Sequence, residues 1–488
     1  MVLLSYSQVE SRGTSPHVFA RGSFPSNFLF GVGTSALQVE GSNNGGGRGP
    51  SVWDAIVEND NGTIQDIDKF PTMIDHYHRY KEDVALLKRL GINSYRFSIC
   101  WSRIMPGGTM EAGINQEGID FYNNLIDELL ANDIIPFVTI LHFDYPLSLL
   151  DLGGFLNPVI VDLYKDYCEL LFTTFGDRVK HWTTFNEPEI TAVFNYMHGF
   201  DNNKPEPCQI TKECKQAYIV MHNFIISHAT AVKLYREEFK AIQRGEIGIV
   251  IALENYIPYS FKLEDIAAAD RLMDFFTGWM LDPITYGDYP DSMKELVKDR
   301  LPAFTEGEKA LIQGSTDFIG INYYRSFYAR HEPNKTLITG FDNFDALAVR
   351  EVINENGQTL GYLENATKSF VYPEGLYNAL IYIKLKYQNP KIYITENGIS
   401  SGNIKNPLKD RHRKEYIAQH LNVTKYVIEA GVNVQGYFVW AAFDTFEFHQ
   451  GFSERLGLIY IDFNDNLNRV EKQSARWYRW FLTGNKGI

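Results

Sequence analysis

Cysteine is scarce in this chain, four in 488 residues, and an excess of basic charge is missing altogether. The 46 lysines and arginines are outnumbered by 60 acidic residues, for a formal net charge of -14. Nucleic acid and anionic membrane surfaces both require a basic footprint, so neither is expected as a partner. No apolar stretch reaches the ~18 residues of a membrane span. The opening segment, Met1 to Gln8, has too short an apolar run and no basic flank for a convincing signal peptide. No low-complexity tract or internal linker interrupts the chain. Gly45 to Gly49 looks like a phosphate loop, but no Lys-Ser/Thr pair follows and no strand immediately precedes it. His76 and His78 are one residue apart, which keeps them off a shared helix face, and no third ligand accompanies them. Neither a metal nor a cofactor is expected.

What is present favours one large core. The chain is 44% hydrophobic and 14% aromatic. Length alone would allow roughly three domains of about 150 residues, but single α/β barrels often exceed that size. Cys208 and Cys214 flank a short polar loop beside Pro205 and Pro207, a spacing compatible with a local disulfide. Cys100 and Cys168 lie in apolar contexts and are expected as buried thiols. Asn61-Gly-Thr63, Asn334-Lys-Thr336, Asn365-Ala-Thr367 and Asn422-Val-Thr424 match the glycosylation sequon, which with the cysteine pair favours a secreted, extracellular protein.

Short apolar runs alternate with longer helical patterns, the mark of βα units and a parallel sheet. The runs are Phe28–Ala36, Ser94–Ile99, Ile135–His142, Val179–Phe185, Glu246–Leu253, Asp317–Tyr323, Ile392–Thr395 and Val434–Trp440. Helices are expected over Met73–Leu90, Ile119–Asn132, Pro158–Phe175, Cys214–Lys240, Ala267–Gly278, Glu374–Tyr387 and Asp410–Ala430. Eight parallel strands covered by helices imply a single (β/α)8 TIM barrel with elaborated βα loops, occupying 24–484 behind an N-terminal extension, 1–23, expected to be poorly ordered. Chemistry on such a barrel belongs at the C-terminal strand ends.

Two carboxylates stand at those ends. Glu187, in Asn186-Glu187-Pro188, follows the fourth run, and Glu396, in Thr395-Glu396-Asn397-Gly398, follows the seventh. Either tripeptide alone reads as a turn. Both at one mouth supply a proton donor and a nucleophile, the pair that glycosidic bond cleavage needs. Gln38, Glu40, Arg96, Trp101, His142, Asn322, Tyr323, Tyr324, Trp440 and Glu447 fall at the other strand ends. Each singly has a bland explanation in the core. Together at one rim they point to a site.

These stretches resemble glycoside hydrolase family 1, the retaining β-glycosidases, over nearly the whole chain from Phe24 to about Trp477, with a spacing nearest to insect members. The resemblance rests on Gln38-Val39-Glu40-Gly41, Ser51-Val52-Trp53-Asp54, Tyr95-Arg96-Phe97-Ser98, Thr184 to Pro188, Asp317 to Tyr324, Tyr372-Pro373-Glu374-Gly375 and Ile394 to Gly398. It implies that Glu187 is the acid/base and Glu396 the nucleophile, with carboxyls about 5–5.5 Å apart. Arg96 and Tyr324 would hold Glu396, and Asn186 would bind the sugar 2-hydroxyl. Gln38, His142 and Glu447 would bind other hydroxyls, Trp440 would form the sugar platform, and Asn322 and Phe448 would line the same pocket. The substrate would be a small β-glycoside or oligosaccharide, and a homodimer is among the assemblies such a chain allows.

Three places depart from the family pattern. Phe143 and Phe448 stand where tryptophan is usual, Thr445 where asparagine is, and no tryptophan shortly precedes Tyr372. Losing an indole donor costs about 0.5–1.5 kcal/mol per hydroxyl contact. Two readings follow: an exo-acting β-glucosidase-like hydrolase with altered sugar binding, or a weakened relative that binds carbohydrate or another small ligand.

Overall fold

Eight barrel strands run β1 (Leu29–Gly33), β2 (Ser94–Ser98), β3 (Ile135–Leu141), β4 (His181–Asn186), β5 (Glu246–Pro258), β6 (Ile319–His331), β7 (Ile392–Asn397) and β8 (Val434–Trp440). All neighbours pair in parallel, and β7 pairs both β6 and β8, which closes the sheet on itself. The computed structural model describes residues 19–43, 45–198, 214–338, 342–364, 369–402 and 404–484. Of the expected N-terminal extension, only residues 19–23 are described. There Arg21 donates to the carbonyls of Pro25, Ser26 and Phe28.

The lower end of the barrel is plugged by side chains from alternating strands, as a closed eight-stranded barrel requires. Leu29, Phe137, Phe318, Tyr393 and Phe438 form a buried cluster. Phe137 meets Tyr393 edge-on at 5.2 Å between ring centres and lies 5.1 Å from Phe438. Gly31 on β1 makes room for this layer, since a Cβ there would lie 2.3 Å from Phe438 Cδ1. Above the plug the interior turns polar, beginning with Thr183 donating to Thr139 at 2.9 Å.

The outer helices bury one face each. In the helix Ile160–Phe175, Ile160, Tyr164, Tyr167, Cys168, Leu171, Phe172 and Phe175 are buried at helical spacing. Cys100 and Cys168 are buried free thiols, whereas Cys208 lies outside the described residues, so the expected Cys208–Cys214 pairing does too.

The sequence boundaries need three corrections. The first run stops at Gly33, because Ser35 turns the chain into a short helix, Ala36–Val39, that delivers Gln38. Strands β5 and β6 pass well beyond Leu253 and Tyr323. After a bulge they pair again from Asn255 with Ser326 to Pro258 with Ala329, and Ala348–Glu351 adds to β6 antiparallel. The first long helix begins at His76 rather than Met73, since Asp75 is left-handed (φ 57°). His76 is buried against Asp83 while His78 is exposed against Asp75, so the two face apart, as their spacing predicts.

Candidate active site

Every barrel strand end except that of β5 contributes to one polar mouth. Arg96, fully buried on β2, sits at its centre. One guanidinium nitrogen donates to Glu396 Oε1 at 2.5 Å and the other to Asn186 Oδ1 at 2.6 Å. Tyr324, from β6, donates to Glu396 Oε2 at 2.5 Å. Both oxygens of Glu396 are thus held by donors, an arrangement that fixes the carboxylate.

Glu187 is reached through amides. Asn322 donates to Glu187 Oε1 at 2.7 Å and to Asn186 Oδ1 at 3.0 Å. Its own oxygen accepts from the Thr395 hydroxyl at 2.8 Å, which fixes the amide with its nitrogen toward the acid. A continuous chain therefore runs Glu396, Arg96, Asn186, Asn322, Glu187. Pro188 at the first position of the next short helix sets Glu187 as its N-cap, in a left-handed conformation (φ 45°, ψ 59°). A non-glycine residue held there carries strain, which clusters at functional sites. Burial first, and the Glu396 charge second, push the Glu187 carboxyl up to about 8. One carboxyl of the pair is thus protonated at neutral pH, while its partner sits on an arginine and a tyrosine.

The remaining residues form the walls. Gln38 is buried, donating to the Phe446 carbonyl at 2.5 Å and accepting from Ser35 at 2.7 Å. His142 stacks on Trp440 with ring centres 5.8 Å apart and planes 12° apart. Burial, with the Arg96 charge, keeps His142 well below the ordinary imidazole range and so neutral. Thr445 donates to Glu447 at 3.3 Å, and burial pushes the Glu447 carboxyl well up. Phe143 and Phe448, the two departures, touch each other edge-to-face at 5.5 Å, and Phe448 lies 5.0 Å from Trp53. Both phenylalanines are left-handed, at φ 71° and 50°.

Three rim candidates do not reach the mouth. Glu40 is clamped behind it by Arg103 at 2.8 Å and by the Tyr122 hydroxyl at 2.5 Å. Trp101 is fully buried and stacked on Tyr167 at 4.6 Å. Tyr323 likewise turns away, to Ser326 and the Tyr372 carbonyl. Conversely, Thr395 and Trp53 belong to the site although residue type alone did not single them out. Their signal was position, each lying within a stretch that carried the family resemblance. Among the described residues no three His, Cys, Asp or Glu side chains gather as a metal site.

Known proteins share this fold. The family model described as glycosyl hydrolase family 1 matches residues 20–487. The chain belongs to that family. A furostanol glycoside 26-O-β-glucosidase from Hellenia speciosa is 47% identical over 474 residues, 95% of this chain and 84% of that protein. The crystal structure of a rice β-glucosidase superposes with a TM-score of 0.89 at 40% identity, covering 95% of this chain and all of the other. A mutant of that rice enzyme is known in a covalent complex with glucose. The expected nearness to insect members is not borne out. Plant relatives reach 47%, whereas aphid myrosinase stands at 37% with a TM-score of 0.84, over 94% of this chain and 98% of its own. As a family 1 β-glucosidase the protein is a glycoside hydrolase that retains anomeric configuration.

Proposed function

We propose that the protein removes a terminal β-D-glucosyl residue from a small glycoside, with Glu396 as nucleophile and Glu187 as acid/base. The observation that carries this reading is the asymmetric pair: Glu187 buried on the Asn322 amide with its carboxyl pushed up to about 8, and Glu396 held by Arg96 and Tyr324.

The chemistry follows in two steps. The Glu396 carboxylate attacks the anomeric carbon while Glu187 gives its proton to the departing oxygen, so the aglycone leaves as an alcohol and the sugar is esterified to Glu396. That ester removes the negative charge that helped raise Glu187, so the carboxylate left by the proton transfer stays ionised and serves as base. Water loses a proton to Glu187, attacks the same carbon, and frees both sugar and Glu396. In this reading Asn186, fixed by Arg96 and Asn322, binds the 2-hydroxyl. In the same reading Trp440, stacked on His142, is the platform beneath the ring, and Gln38 and Glu447 bind the outer hydroxyls. A purely ligand-binding role gains no observation, because every group needed for turnover is present and oriented.

Replacement of the two acids tests the roles. Glu396→Ala is expected to abolish hydrolysis of all glucosides. Glu187→Ala is expected to spare attack on dinitrophenyl glucoside, whose leaving group needs no proton, and to regain turnover with added azide. Equal loss on every substrate, without azide rescue, would contradict the assignment.

Export is proposed on the exposed sequons at Asn61 and Asn334. The Asn422 sequon is expected to stay bare, because Thr424 is buried and bonded to the His420 carbonyl within the helix Arg411–Glu429. Glycopeptide mapping of secreted protein checks both statements.

A further inference from the structure

The segment that carries Glu187 is fastened to β5 by a side chain the two-step chemistry does not use. Strand β4 ends at Asn186, and the Glu187 N–H then donates to the Val250 carbonyl of β5 at 2.9 Å. Every second residue of a strand offers its N–H and C=O to the same neighbour, so Ala252 is the next to face this edge. No β4 residue is left to meet it, while β5 runs on to Pro258. That place is taken by Glu189, whose Oε1 accepts from the Ala252 N–H at 2.5 Å. A carboxyl oxygen thus stands in for the backbone carbonyl of a strand that has already turned away.

Glu189 is fully buried, where a charge is costly to hold. Burial first, and the Glu187 charge second, keep its carboxyl well above the ordinary range and so neutral. Its other oxygen, Oε2, has no partner among the described residues. The bond to Ala252 is therefore what this acid does in the core.

What that bond steadies is Glu187. The acid lies between two attachments to β5, its own N–H and the Glu189 carboxyl two residues on. Pro188, fixed in φ and without an N–H, links them. The Glu187 backbone is left-handed (φ 45°), a conformation a non-glycine residue keeps only while its surroundings impose it. From there its Oε1 meets the Asn322 amide at 2.7 Å. Glu396 depends on none of this, being held from β2 and β6 by Arg96 and Tyr324.

We infer that Glu189 is a positioning residue for the acid/base: by completing the edge of β5 it holds Glu187 in the backbone conformation from which its carboxyl serves the departing oxygen. The inference rests on the reading of Glu187 as acid/base.

Glu189→Met keeps the length of the side chain and removes the acceptor, and Glu189→Ala is a second variant without it. Glu189→Gln keeps a carbonyl oxygen for Ala252 in a neutral group. These variants, the wild type and Glu187→Ala are assayed on octyl β-glucoside, whose leaving group needs a proton, and on dinitrophenyl β-glucoside, whose leaving group does not. Glu189→Met and Glu189→Ala are expected to lower kcat/KM for the octyl glucoside about 10- to 100-fold and to change it for the dinitrophenyl glucoside less than about threefold. With the dinitrophenyl glucoside their kcat and KM are expected to fall together, because a displaced base slows release of the sugar and the ester on Glu396 accumulates. Glu189→Gln is expected to recover the octyl activity to within about threefold of the wild type. The inference is overturned if the variants without an acceptor lose both substrates alike, if they spare the octyl glucoside, or if Glu189→Gln is as impaired as they are. Should Glu187→Ala itself lose both substrates alike, the acid/base reading falls and the inference with it. Should Glu187→Ala separate the substrates and the Glu189 variants not, the inference alone falls.

Discussion

At the scale of single residues, Glu187 shows how position sets chemistry. Burial and the neighbouring Glu396 charge raise its carboxyl to about 8. Since the group must be protonated to act as acid, kcat/KM for an alkyl glucoside is expected to fall above about pH 8. A basic limb set well below that value would contradict it. The same shift has a sign for stability. A carboxyl whose folded pKa lies above its unfolded value holds its proton more tightly when folded, so stability declines as pH rises from about 4.3 towards about 8. Glu187→Gln removes that decline, and its Tm advantage over the wild type should be absent near pH 4 and grow towards pH 8. The two phenylalanines make a separate prediction. Phe448→Trp restores an indole donor and should tighten glucoside KM by about two- to tenfold, the equivalent of 0.5–1.5 kcal/mol. The sequence revealed these departures but not their partnership: Phe143 and Phe448 meet only because β3 and β8 end at the same rim.

At the scale of elements, the barrel strands were legible because each is an apolar, β-branched run between helical patterns, and β8 matches its expected span residue for residue. Their extent was less legible. Strands β5 and β6 lengthen because Tyr256 to Pro258 find partners at Phe327 to Ala329, a contact between distant segments that no local pattern encodes. Glu40 and Trp101 misled for a related reason. Proximity to a strand end in sequence does not say whether a side chain turns into the mouth or behind it. Glu40 instead ties the loop after β1 to the helix Gln116–Ala131, through Arg103 and Tyr122. Arg103→Ala leaves that buried carboxylate without its cation and should cost about 3–5 kcal/mol of stability. Denaturant unfolding measures the loss. A change below about 1 kcal/mol, the value of an exposed ion pair, would show that the pair is not buried as described.

At the scale of the whole molecule, closure of the sheet brings β2, β4, β6 and β7 together so that Arg96, Asn186, Asn322, Tyr324 and Glu396 form one bonded network. The motifs located the two acids, and the barrel explains why residues 209 positions apart act together (396 minus 187). The net charge of -14 agrees with a neutral small-molecule substrate. The most direct test is trapping. Dinitrophenyl 2-deoxy-2-fluoro-β-glucoside should inactivate the protein with time and add one fluoroglucosyl group to its intact mass, and peptide mapping should place that group on Glu396. An adduct on another residue, or an unmodified and fully active protein after prolonged incubation, would contradict the account.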